Sequence, residues 1–277
     1  MLSYLHGFHA GNFADVHKHL VYSLVLDYLL KKDKPLAVLD VYAGAGFYDL
    51  QDARARKTAE ADAGIMALPD GGWPEGAAPY REVVRRAAAH HWPPRHYPGS
   101  PQIAADLARS RDRLVFNELH PREYEALKAR FADDPRVHVH HREALEALVA
   151  LVPPPEKRGL VLIDPSYEVK DEYRTVPEAL ARAEQKWPTG VFLLWYPLLA
   201  GGAHHPLVQA VQRQTCAPLL QTEFCVRPPG AGMYGSGMLV LNPPWTLAAT
   251  LESLRGWLGQ LQQAGGVLRV NALRERP

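Results

Sequence analysis

Residues 159–168 read GLVLIDPSYE, an apolar run closed by an acid, a proline, a serine and a tyrosine. An exocyclic amine such as that of adenine is a poor nucleophile, because its lone pair is delocalised into the ring. Two acceptors, the Asp164 carboxylate and the Pro165 carbonyl, would hold both amine hydrogens and aim the lone pair at a methyl group. Tyr167 would stack on the base, a contact worth about 1–3 kcal/mol, once the base is turned out of its helix. A related stretch, MLVLNPPWTL, recurs at 238–247 and carries the same donor–acceptor logic. Only one of the two is expected to do the chemistry.

The elements that would carry these residues decide between them. Apolar runs that read as strands alternate with segments at helical spacing, and a hairpin closes the end. That pattern predicts an α/β chain with a doubly wound, mostly parallel sheet and one antiparallel edge strand at the C-terminus. Residues 14–32 read as a helix capped by Asn12, with Asp15 completing a capping-box-like start. Ser100 is placed to cap the helix that begins at Pro101. Residues 50–97, rich in alanine and arginine around PDGGWPEGAAP, break the rhythm and read as an insertion. In open α/β sheets ligands sit beyond the carboxyl ends of the strands. The last strand should run the other way, which sends Asn242 to the opposite rim. We therefore expect Asp164 to work and Asn242–Trp245 to be structural, with Trp245 packing the sheet edge.

Acids stand at successive strand ends: Asp40, Glu118, Glu143 and Asp164. One such acid is as often a helix cap or a solvated turn, but four in series suggest a shared ligand. The AGAG of residues 43–46 lets backbone approach that ligand closely, though Gly-x-Gly alone is a weak signal. Tyr48 stands where a dinucleotide fold would want a third glycine. A zwitterionic nucleoside such as S-adenosylmethionine suits the acids better. Glu118 would accept from ribose hydroxyls and Glu143 from the adenine amine, while the helix starting at Ser100 would offer its positive end to the methionine carboxylate.

The chain has 277 residues, with 31 basic and 30 acidic side chains, so no global field advertises nucleic acid or membrane. Nucleic-acid contact must come from local basic patches. The two cysteines, Cys216 and Cys225, form no paired framework and fit a reducing cytosol. No signal peptide and no apolar run of about 20 residues is visible, so a soluble cytoplasmic protein is expected.

The residues resemble one family along essentially the whole chain. FHAGNFADVHKH (8–19), AGAG (43–46), YPGSP (97–101), ELHP (118–121), LIDPSYE (162–168), LWYP (194–197) and GMLVLNPPW (237–245) are together similar to the adenine-N6 methyltransferases of large-subunit ribosomal RNA, the RlmJ family. The resemblance implies a class I, Rossmann-like methyltransferase domain over 1–49 and 98–277, its mostly parallel sheet seven-stranded. It implies an N-terminal flap at 1–13 and a helical subdomain at 50–97. It further implies S-adenosylmethionine contacts at His19, Tyr42, Ser100, Glu118, Glu143, Ala144 and Asp164. Asp164 would be the catalytic acceptor and Tyr4 would lie near the target base. The implied partner is 23S ribosomal RNA, protein-free or early in assembly, bound by a monomer. Three positions depart from the family pattern: Tyr42 stands for histidine, Glu143 for aspartate, and Ser166 for the second proline of Asp-Pro-Pro-Tyr. The same chemistry leaves open a DNA amino-methyltransferase, or an inactive nucleic-acid-binding protein tied to use of external DNA.

No metal site is expected, since no histidine pair has helical ligand spacing with a glutamate base. Read from the residues alone, His19 shares a helix face with Asp15 as a salt-linked surface histidine. Arg54, Arg56 and Lys57, then Arg81, Arg85 and Arg86, lie in the insertion. They read as a solvated face, or as an RNA-docking surface on the rim above Asp164.

Overall fold

The computed structural model describes residues 5–89, 91–263 and 266–275. Its strands are β1 (Ala37–Asp40), β2 (Phe47–Asp49), β3 (His96–Pro98), β4 (Arg113–Asn117), β5 (Val137–His140), β6 (Gly159–Ile163), β7 (Val191–Leu199), β8 (Leu219–Cys225), β9 (Met233–Leu241) and β10 (Val267–Arg274). The helices are α1 (Phe13–Leu30), α2 (Ala53–Thr58), α3 (Ala78–Ala87), α4 (Ser100–Leu107), α5 (Pro121–Arg130), α6 (Ala144–Leu151), α7 (Glu172–Lys186), α8 (His204–Gln214), α9 (Leu247–Ser253) and α10 (Arg255–Leu258).

Eight strands form one sheet in the order β10-β8-β9-β7-β6-β1-β4-β5. The central strands β1, β4 and β6 are apolar and buried along most of their length because both sheet faces are covered. Alternate residues serve the two layers: Val38, Leu114, Phe116, Leu160 and Leu162 face one core, and Leu39, Val115, Val161 and Ile163 the other. Helices α1, α3 and α4 build the first layer with α9 and α10, and α6, α7 and α8 build the second.

The α/β class agrees with the sequence reading, but the sheet has one strand more than expected. The antiparallel strand β9 is not at the edge: it lies between β7 and β8, antiparallel to both. The edge is β10, antiparallel to β8. Its pattern, VLRVNALR, carries arginine and asparagine on an open strand and is only partly buried.

The insertion springs from a ribbon in which β2 and β3 pair. It does not simply overhang the rim. Ile65, Leu68, Trp73, Tyr80, Val83 and Val84 enter the first core, and Trp73 packs on Trp257 of α10 with ring centroids 4.7 Å apart. Helix α3 therefore covers α1, which explains why α1 is buried almost throughout its first three turns. Polar side chains there must find partners inside the protein. His17 does so across the layer, with Nδ1 3.0 Å from Ser236 Oγ and Nε2 3.2 Å from Thr222 Oγ1.

Asn12 caps α1 by accepting from the Asp15 N–H at 2.9 Å. Asp15 reaches back to the Gly11 N–H rather than to its capping partner, at 2.8 Å. Ser100 is not a cap: Gly99 holds that position, and the Ser100 hydroxyl donates to Asp40 Oδ2 at 2.6 Å.

At the rim opposite the carboxyl ends of β1 and β6, Asn242 takes a left-handed φ of 53° and donates to the carbonyls of Pro188 and Gly190, both at 2.8 Å. Trp245 does not pack the edge; it is 74% exposed. Asn242→Ala should lose both hydrogen bonds and add left-handed strain, costing about 2–3 kcal/mol in urea denaturation. Methyl transfer at 25 °C should be unchanged. Asn242→Gly should recover the backbone share of the loss.

Candidate active site

One cleft opens beyond the carboxyl ends of β1, β4, β5 and β6. His19, Tyr42, Ser100, Glu118, Glu143, Ala144 and Asp164 all line it, joined by His6, Lys18, Gly44, Glu123 and Ser166. The topology produces this convergence. Asp40 ends β1, Glu118 and Asp164 directly follow β4 and β6, and Glu143 precedes α6. Gly44 has φ +60°, and a Cβ there would stand 2.4 Å from the Tyr48 hydroxyl, so this wall is bare backbone.

The acids are already engaged by backbone. Glu118 accepts from the Gly44 and His120 N–H groups, both at 2.7 Å, which fixes the glycine loop. Burial nonetheless pushes its carboxyl above the usual range. Glu143 caps α6, accepting from Leu145 and Glu146 N–H at 3.0 and 2.7 Å. The cap reading and the cleft reading thus hold together for Glu143. His19 is no surface residue. It is buried, with Nδ1 2.8 Å from the Tyr97 hydroxyl, and its Nε2 lies 4.0 Å from Asp15 Oδ1.

The sequence reading overlooked the residue that touches Asp164 most closely. Lys18 Nζ lies 2.5 Å from Asp164 Oδ2 and 2.9 Å from Asp15 Oδ1. His6 Nε2, on the N-terminal segment, adds a contact of 2.9 Å to Asp15 Oδ2. Burial alone would push the ammonium down, but Asp15 and Asp164 hold it above the ordinary lysine range. Burial would likewise push Asp15 up, yet His6, Lys18 and His19 hold it well below the usual carboxylate range. The signal was a lysine inside ADVHKHLVYSL, a helix turn with apolar residues on both sides. Asp164 Oδ1 has no hydrogen bond among the described residues, so one oxygen is anchored and the other faces the cleft.

Other expected residues are placed differently. Tyr167 is buried, at φ 55°, with its hydroxyl donating to the Trp195 carbonyl at 2.9 Å and its ring 4.5 Å from Tyr173. Neither Tyr167 nor the buried Pro165 lines the cleft, so Tyr167 shapes the loop and is not presented to a base in this conformation. Tyr4 lies outside the described residues. The α3 arginines do not overlook Asp164. Arg81 pairs with Glu82 and Arg85 with Asp70, while Arg86 reaches Asp106, at the end of α4 far from Ser100. Arg56 pairs with Asp62. Arg54 lies near the cleft, pairing with Asp52 at 3.0 Å and standing 3.9 Å from Glu123, while Lys57 Nζ is 5.9 Å from the Phe8 ring centre.

Behind Ser100, Asp40 is fully buried, and burial pushes its carboxyl up from 3.8 to about 7 against the pull of the Ser100 hydrogen bond. A carboxyl with a raised folded pKa favours folding below its unfolded value and loses that advantage as pH rises through the folded value. Asp40 should therefore reduce stability between about pH 4 and 7, by up to about 4 kcal/mol. The stability difference between wild type and Asp40→Asn, followed over pH 4–8, should grow in the variant's favour as pH rises. A pH-independent difference would rule this out.

Comparison with known proteins agrees with this fold. The family model for ribosomal RNA large subunit methyltransferase D, RlmJ, matches residues 33–273. Ribosomal RNA large subunit methyltransferase J of Haemophilus influenzae is 40% identical over 261 residues, covering 93% of each chain. Its Escherichia coli counterpart is 39% identical over 264 residues with the same coverage. A crystal structure of a Legionella pneumophila protein superposes with TM-score 0.85 at 35% identity, covering 95% of this chain and 98% of that one. At about 40% identity over 93% of its length, the chain belongs to the RlmJ family of ribosomal RNA large subunit methyltransferases.

Proposed function

We propose that this protein transfers the methyl group of S-adenosylmethionine to the exocyclic N6 of one adenine in 23S ribosomal RNA, in the cytoplasm. The observation that carries the reading is Asp164, set at the carboxyl end of β6 on the cleft wall and clamped through one oxygen by Lys18. The cleft residues suit the cofactor. Glu118 and Glu143 offer carboxylates to ribose hydroxyls and an adenine amine, Gly44 leaves room against bare backbone, and His19, Lys18 and Ser100 offer donors to an amino-acid carboxylate.

When bound, the cofactor supplies an electrophilic methyl carbon on a sulfonium. The chain's own residues prepare the acceptor. Asp164 Oδ1 takes an N6 hydrogen, which turns the lone pair toward the methyl carbon. The Lys18 ammonium, paired with Oδ2, holds the carboxylate in place and leaves Oδ1 for the amine. Orientation therefore comes first. The proton leaves only after N6 has bonded to carbon and become acidic, when it passes to Asp164 or to water.

The test is methyl-group transfer from labelled cofactor to undermodified 23S RNA, naked DNA and no acceptor, with calorimetric cofactor binding alongside. Transfer to RNA alone is expected; transfer to DNA but not RNA would overturn the reading. RNA docking follows the rim geometry. Arg54→Ala/Lys57→Ala should lower the salt slope of RNA affinity by up to about two, one for each phosphate left without its cation. The triple change at Arg81, Arg85 and Arg86 should leave that slope unchanged, because those guanidinium groups are occupied by acids away from the cleft. Affinities across a salt series decide between the two surfaces.

A further inference from the structure

A buried line of three polar groups runs from the insertion to the cleft. The Tyr80 hydroxyl lies 2.9 Å from the Tyr97 hydroxyl, which lies 2.8 Å from His19 Nδ1. All three residues are buried, and the Tyr97 ring stacks on the imidazole with centroids 5.5 Å apart. No other hydrogen bond reaches either hydroxyl among the described residues. His19 itself lines the cleft beside Gly99 and Ser100, at the first turn of α4.

We infer that Tyr97, backed by Tyr80, is a positioning residue that fixes His19 as the Nε2–H tautomer and so points a donor at the cofactor's carboxylate. The inference rests on the reading of the cleft as the S-adenosylmethionine site.

Proton counting carries it. If Tyr80 donates to Tyr97 and Tyr97 to Nδ1, both hydroxyl protons are used and the ring proton sits on Nε2. If the ring proton sat on Nδ1, it would donate to Tyr97. One tyrosine proton would then be buried with no acceptor, a loss of about 1–3 kcal/mol. The line thus has one satisfied direction. Burial also holds the imidazole well below its ordinary pKa, so the ring is neutral and its tautomer matters. Around the rest of the cleft stand Glu118, Glu123, Glu143, Glu168 and Glu172, which would repel a carboxylate; at the His19 end Asp15 and Asp164 are paired with Lys18, and Asp15 Oδ1, 4.0 Å from Nε2, is beyond hydrogen-bond reach of it. The end bounded by His19, Lys18 and Ser100 is where one can be held, with the positive end of α4 adding to the attraction.

The experiment uses the whole protein. Imidazole ¹⁵N spectra, with His19→Gln identifying the signal among the 13 histidines, report the tautomer directly. Calorimetry then compares S-adenosylhomocysteine with methylthioadenosine, which lacks the amino-acid carboxylate. Wild type should show Nε2–H. Tyr80→Phe/Tyr97→Phe, which leaves no orphaned hydroxyl, should show a mixture of tautomers. It should bind S-adenosylhomocysteine about tenfold more weakly and methylthioadenosine with unchanged affinity. An Nδ1–H tautomer in wild type overturns the inference, as does equal weakening of both ligands or none. The wild-type spectrum decides even if the double variant fails to fold. Failure of wild type to bind S-adenosylhomocysteine would instead strike the cofactor reading, and the spectrum would still show whether the relay exists.

Discussion

Asp164→Ala should lower methyl transfer about 10²–10³-fold while leaving the fold and most of the cofactor affinity intact. An acceptor that orients a group in the transition state is worth about 3–4 kcal/mol in a dry site, and that range sets the expected loss. The fold should survive because Lys18 keeps Asp15 as its partner, 2.9 Å away, when Asp164 is gone. Asp164→Asn, which keeps an acceptor oxygen but loses the charge, should fall between the variant and wild type. Turnover is to be measured at saturating RNA, with binding of S-adenosylhomocysteine as the control. Near-wild-type turnover in Asp164→Ala would show that the loop after β6 is not where the amine is held.

The second large effect is expected at Lys18. Lys18→Met keeps the length of the side chain but leaves Asp15 and Asp164 buried without their shared cation, at a cost of about 3–5 kcal/mol. The loss should depend on pH in a defined direction. Without the ammonium, Asp15 loses one of the groups that oppose its burial, so it holds its proton to higher pH than in wild type. The variant is then least disadvantaged at pH 5 and loses stability as pH rises to 8. Transfer should fall at least tenfold, since Asp164 is free to turn. Lys18→Met/Asp164→Asn should regain much of the stability and none of the activity. Denaturation curves at the two pH values, paired with transfer assays, separate the structural share of the clamp from the chemical one. Equal stability loss at both pH values would mean that Lys18 acts by packing alone.

Much of the fold was legible because strands buried on both faces are written as short apolar runs. GLVLI and AVLD need no tertiary knowledge to recognise, and an acid directly after such a run marks the rim where ligands sit. The convergence of Glu118, Glu143 and Asp164 could be read in that way. Lys18 could not. Its importance depends on α1 having no solvent face, and that depends on the insertion folding back so that Tyr80 and Val84 lie over it. Residues 13–30 hint at it only by setting a lysine among apolar residues. The place of β9 inside the sheet was hidden for a similar reason: strand order is fixed by which edges remain open, not by the strand's own residues. Tyr167 was misread because an aromatic ring after Asp-Pro was taken to face the ligand. The left-handed backbone at that position instead turns the ring into the second core, where the Trp195 carbonyl holds its hydroxyl.

The order in which the chain is made gives the position of β9 a temporal meaning. Both sheet neighbours of β8, namely β9 and β10, are synthesised after it. A nascent chain that has emerged as far as Cys225 can assemble β5, β4, β1, β6 and β7, but it has no partner to bring β8 in. Every cleft residue among the described ones lies between His6 and Glu172, so the cleft can be complete at that stage while β7 still presents an open edge. An open parallel edge invites pairing with other chains. Translation pauses between residues 226 and 241 would prolong that exposure, whereas prompt arrival of β9 closes the edge and recruits β8 in the same step.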